Sequence, residues 1–159
     1  MKSTLIVLLA LSISLLSCQS ATENQPEGHS GHGKGNEPKT PADSLYVQVM
    51  EIHDQVMPKM GKIRGAQKQA QQFLDSLSRL PAGQSVATAT YKQRLETLIS
   101  DLNYADFAMD KWMVEFNLDS AKDNQALRIA YLRSELDKVS NVKKAILGSL
   151  SKADSLLKK

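Results

Sequence analysis

Five of the six methionines, one of the three histidines and the only tryptophan fall in two short stretches of this 159-residue chain. The first is Met50-Glu51-Ile52-His53-Asp54-Gln55-Val56-Met57-Pro58-Lys59-Met60. In it Met50, His53, Met57 and Met60 step by three, four and three, so on a helix they share one side. The second carries Met109, Trp112 and Met113 at the same kind of spacing. Thioether and imidazole donors select Cu(I), and an indole face attracts a cation. The candidate metal ligands are therefore His53, Met57, Met60, Met109 and Met113, and copper is the cofactor they would imply. The plainer reading takes precedence: methionine fills irregular core volume and packs well on aromatic rings. Asp54 follows His53 directly, and helix neighbours point about 100° apart, so Asp54 is not expected to orient the imidazole as a catalytic partner.

The trio of methionine, histidine and tryptophan resembles the ligand set of periplasmic copper chaperones. Those are small β-barrels, so the resemblance concerns donor chemistry and not fold.

For the two stretches to meet, helices must carry them. Thr40 can cap a first helix, Pro41 suits the first helical position, and Asp43 lies in the positive first turn. Apolar residues recur at Leu45, Val49, Ile52, Val56, Met60, Ile63, Ala70, Phe73, Leu77 and Leu80, in steps mostly of three and four. Pro58 interrupts this pattern and the glycines Gly61 and Gly65 follow, yet the pattern continues, which predicts a kink rather than a hairpin. Leu80-Pro81-Ala82-Gly83 stops the helix, and a polar connection runs to about Thr88. A second helix carries Tyr91, Leu95, Leu98, Leu102, Ala105, Met109, Trp112 and Phe116 and ends at Asn117-Leu118-Asp119. Ser120, with Asp123 three residues on, offers a cap for the third. That helix runs through Ile129, Leu132, Leu136, Val139, Val142, Ile146, Leu150, Ala153 and Leu157. The expected fold is all-α: an antiparallel up-down-up bundle of three long helices with coiled-coil-like packing, the first kinked near Pro58. A hairpin turning near residues 84 to 85 would set Met57 opposite Trp112 and Met60 opposite Met109, within a turn.

The domain so defined is 40–159. Before it, 19–39 is rich in Gly, Pro and polar residues and has almost no large apolar side chain, which predicts a disordered tether spanning on the order of 25 Å. His29 and His32 in this tether could chelate a transition metal weakly, although such His-Gly stretches read more simply as soluble spacers. Ahead of the tether, Lys2 precedes an apolar run from Leu5 to Leu16, a signal peptide by type and too short to remain as a membrane span. The run closes on Leu15-Leu16-Ser17-Cys18, which contains the only cysteine. This segment resembles the lipobox of bacterial lipoproteins. The resemblance implies a signal peptide at 1–17, lipidation of Cys18, and a segment 18–39 that joins the anchored cysteine to the bundle. Several acyl chains would anchor stably where a single chain would not. Gln19 and Ser20 are not aspartate, which favours the outer membrane over the inner, facing the periplasm. The partners expected are thus the membrane through Cys18, and an envelope protein or a second copy of the chain.

Twenty basic against seventeen acidic residues is too balanced for a nucleic-acid binder. Residues 81–119 hold three basic and six acidic groups, and 120–159 nine basic and four acidic, so neighbouring helices of opposite sign attract. There is no Gly-rich phosphate loop, no nucleophile with a matched base and no framed carboxylate pair, and the reading is non-enzymatic, with no catalytic or cofactor-binding residue. M-E-I-H-D-Q-V-M-P-K-M-G-K-I at 50–63 and Y-A-D-F-A-M-D-K-W-M-V-E-F at 104–116 resemble segments of a group of small Gram-negative lipoproteins labelled "viral A-type inclusion protein". That resemblance implies that the two segments form one unit, and it brings no activity with it.

Overall fold

A computed structural model describes residues 39–80 and 85–158. The expected signal peptide at 1–17, Cys18, the expected tether with His29 and His32, and residues 81–84 lie outside the described residues. Among the described residues there are four α-helices, α1 (Pro41–Val56), α2 (Met60–Ser78), α3 (Val86–Glu115) and α4 (Gln125–Leu157), with a 3-10 turn at Met57–Lys59 joining α1 to α2. α1 and α2 are one long helix interrupted at the proline, so the architecture is the three-helix, all-α bundle that the apolar spacing predicts.

Local chemistry fixes the ends. Thr40 and Asp43 form a reciprocal capping box: the Asp43 N–H donates to Thr40 Oγ1 at 3.1 Å, and the Thr40 N–H donates to Asp43 Oδ2 at 3.0 Å. Pro58 has no N–H to offer the carbonyl one turn back, and the chain answers with three residues of tighter winding before α2 resumes at Met60. Ser85 caps α3 three residues before Thr88, where the polar connection is expected to end. The expected Ser120 cap of the last helix is replaced by Asn124, whose Oδ1 accepts from the Leu127 N–H at 3.1 Å. The reason is that 118–123 forms its own turn, with Ala121 in the left-handed region at φ 55°. The Arg128 guanidinium donates to the Ser120 carbonyl at 2.8 Å and ties that turn to α4.

The helices bury a single core. Val56, Met60 and Ile63 on α1–α2 meet Leu98, Leu102 and Met109 on α3 and Val139, Val142 and Ile146 on α4. Two expected core positions, Phe73 and Leu80, are exposed, and Leu74 packs inward instead. Phe73 and Leu74 lie three and four residues after buried Ala70, and both spacings are helical, so the sequence pattern alone does not choose between them. α2 and α3 run antiparallel, with Arg64 Nε donating to Asp106 Oδ1 and Gln67 Nε2 to Asn103 Oδ1, each at 3.1 Å. α4 closes the bundle: Lys143 Nζ donates to Gln55 Oε1 on α1, and Lys152 Nζ to Asp101 Oδ2 on α3, both at 2.6 Å. No helix among the described residues is long and apolar enough to cross a membrane.

Candidate functional site

His53 on α1 holds its ring 5.6 Å from that of Trp112 on α3, at an interplanar angle of 36°. Trp112 stacks in turn on Phe116 at 4.9 Å, and Phe116 on Tyr131 at 6.3 Å, so a ladder of rings runs from α1 across the end of α3 to α4. The Asn117 N–H donates to the Tyr131 hydroxyl at 2.7 Å and fixes the far end. Contrary to the expectation from helix geometry, His53 Nδ1 lies 2.9 Å from Asp54 Oδ1. The backbone directions differ by about 100°, but a short carboxylate can lean round the helix far enough to reach its neighbour's ring. A carboxylate only accepts, so Nδ1 is the donor of this bond, and the neutral tautomer compatible with it has its lone pair on Nε2.

The indole N–H has a partner that periodicity did not single out. Trp112 Nε1 donates to Glu135 Oε2 at 3.0 Å, and Lys138 Nζ donates to Glu135 Oε1 at 2.8 Å. Glu135 is only 1% exposed, a carboxylate in the core with both oxygens bonded. The signal was in the spacing: Glu135 sits three residues after buried Leu132 and four before buried Val139, an inward position occupied by an acid. Its hydrogen bond raises the Lys138 pKa above the ordinary lysine value, against a smaller opposing effect of desolvation. On the rim, Lys111 bonds Glu115 and Lys122 bonds Asp119, and each cation lowers its carboxylate's pKa.

The five candidate ligands divide by depth. Met60 and Met109 are in the core, while Met57 and Met113 are 38% and 36% exposed and the His53 side chain is 18% exposed. Among the described residues no group of three or more His, Cys, Asp or Glu is placed to hold a metal ion, so any metal in this region would depend on thioethers. An open groove of about 440 Å³ lies between α3 and α4, lined by Gln93, Arg94, Thr97, Leu98, Lys152 and Ser155 among others. It is near the start of α3, several turns away from Trp112.

A second feature was missed because the apolar count followed only the inward stripe. Tyr104, Phe107 and Val114 are exposed, the last two at 63% and 87%, and steps of three and seven put them on one side of α3. That side is opposite the one carrying Leu102, Ala105 and Met109. Leu118, just past the helix end, is exposed as well. Comparison with known protein families, with curated proteins and with solved structures gives no match for this chain.

Proposed function

We propose that this protein is a non-enzymatic helical interaction module, held at the cell envelope by lipid on Cys18 and docking a protein partner on the outward face of α3. The observation that carries the reading is the exposed row of Tyr104, Phe107 and Val114 on a well-capped, 30-residue helix. Large apolar side chains grouped on one rigid surface are unfavourable in water and gain by being covered. Aromatic residues are also the types that anchor protein interfaces. Lys111 falls within the row between Phe107 and Val114, where it pairs with Glu115, and Asp110 lies beside it, so a partner would meet apolar side chains together with charged ones.

Anchoring rests on the lipobox resemblance at Leu15–Cys18 and on the polar composition of 19–39, which together give a module free to reach a partner from the membrane, with the periplasmic side of the outer membrane as its place. The partner is an envelope protein or a second copy of the chain. The test is chemical cross-linking in intact cells, comparing the native chain with a Phe107→Ser/Val114→Ser variant. The expected result is a discrete cross-linked species that the variant loses while keeping its helix content. An unchanged species would overturn the α3 face as the docking surface. Cys18→Ser is expected to move the protein out of the membrane fraction, and retention there would overturn the anchor.

A further inference from the structure

The geometry points to a Cu(I) site where His53 of α1 meets Trp112 of α3, made by His53 Nε2 and the thioethers of Met57 and Met113, with Trp112 beneath it. Three observations bring these groups to one level and one side of the bundle. First, the Met57 N–H donates to the His53 carbonyl, so Met57 stands one helical turn after His53 on the same side. Second, the side of α3 that faces α1–α2 is marked by Asp106 and Asp110, whose carboxylates both meet Arg64, at 3.1 Å and 3.8 Å. Met113 is seven residues beyond Asp106 and three beyond Asp110, on that side. Third, Met57 is seven residues before Arg64, so the antiparallel register that pairs Arg64 with Asp106, carried through the 3-10 turn at Met57–Lys59, brings Met57 within about a turn of the level of Met113.

The donor chemistry agrees with the placement. The bond that Nδ1 donates to Asp54 favours the tautomer with the proton on Nδ1, which leaves Nε2 as the ligand atom and gives the imidazole the carboxylate support usual for metal-binding histidines. Nε2 has no protein partner among the described residues. Two soft sulfurs and one imidazole select Cu(I) over the harder divalent ions. The His53 ring already lies 5.6 Å from the indole, so a cation held at Nε2 and the two sulfurs would sit beside an aromatic face that attracts it. Met57 and Met113 are each more than a third exposed, so the metal needs no opening of the core to enter. Buried Met109 lies one turn before Met113 and stays with the packing.

The experiment is an anaerobic titration of the full chain with Cu(I) held by the chelator bicinchoninate. The chain carries Cys18→Ser, His29→Ala and His32→Ala so that the thiol and the N-terminal imidazoles cannot compete. Trp112 is the only tryptophan, and its emission reports directly on the site. One Cu(I) per chain should be withdrawn from the chelator with quenching of Trp112. Affinity should fall by roughly tenfold or more on adding His53→Ala, Met57→Leu or Met113→Leu. The two leucine variants change partly exposed positions, so they keep the test decisive even where His53→Ala perturbs folding. Failure to withdraw Cu(I), or equal withdrawal by the Met57→Leu/Met113→Leu double variant, would overturn the site.

Discussion

Glu135 shows how one charged side chain can organise a core that is otherwise almost entirely apolar. A carboxylate at 1% exposure is tolerable only with its oxygens bonded, and here the indole N–H takes one and the Lys138 ammonium the other. Replacing it with leucine leaves the Trp112 N–H buried with no acceptor. Glu135→Leu is therefore expected to lower unfolding free energy by about 1–3 kcal/mol in denaturant titrations, and Glu135→Gln, which keeps an acceptor, by less. Equal stability of the leucine variant would mean that the pair contributes nothing. Lys138 adds a dependence on pH with a definite sign. Its folded pKa is raised above 10.5, first by the bond to Glu135, so the folded state holds this proton more tightly than the unfolded chain. The stabilisation is present in full below 10.5 and is lost as pH rises through the folded value. Lys138→Met should accordingly lose less stability than the native chain when melting is followed from neutral pH into that range. An identical slope for the two would contradict the pairing.

The interrupted first helix is where sequence and structure agree for a clear reason. Proline denies one hydrogen bond and clashes with the turn before it, and the unbroken apolar spacing on either side leaves a kink as the only outcome. The result is a 3-10 turn of three residues at Met57–Lys59. Gly61 and Gly65, which invite a reading as part of the break, lie inside regular α2, and a Cβ at either would meet nothing within 4 Å. Alanine there removes backbone freedom from the unfolded chain without a clash. Gly61→Ala and Gly65→Ala should each raise stability by about 0.5–1 kcal/mol, measured by urea unfolding. A loss of stability would mean that the kink needs these glycines. The inward stripes of α3 and α4 were legible from spacing, because each apolar position repeats on one side. What spacing hid was side-chain reach: the lean of Asp54 to His53, the choice of Leu74 over Phe73, and the Asn124 cap after a left-handed Ala121 all depend on neighbours that no periodicity encodes. The ring that meets Trp112 is that of His53, and the antiparallel register of α2 on α3 followed from the hairpin count. The indole's true partner on α4 did not, because an acid at an inward position reads as a break in the pattern until its donors are seen.

Taken as a whole, the bundle has two characters. Its inward faces make one core with no buried side-chain N or O left unpartnered among the described residues. Its α3 exterior keeps Tyr104, Phe107 and Val114 in solvent. Because these three contribute nothing to the core, polar substitutions there should change folding stability by no more than about 0.5 kcal/mol. A larger loss would place them in the fold and not in binding. The proposed role depends on that separation, and one experiment addresses it most directly. A photo-reactive side chain would be placed in turn at Tyr104, Phe107 and Val114 on α3, and at the exposed Arg133, Asn141 and Lys144 on α4. The chain would then be irradiated in intact cells. Protein adducts confined to the three α3 positions, whether with a second copy or with another envelope protein, are the expected result. Adducts of equal yield on both helices, or none from α3, would contradict docking through this face.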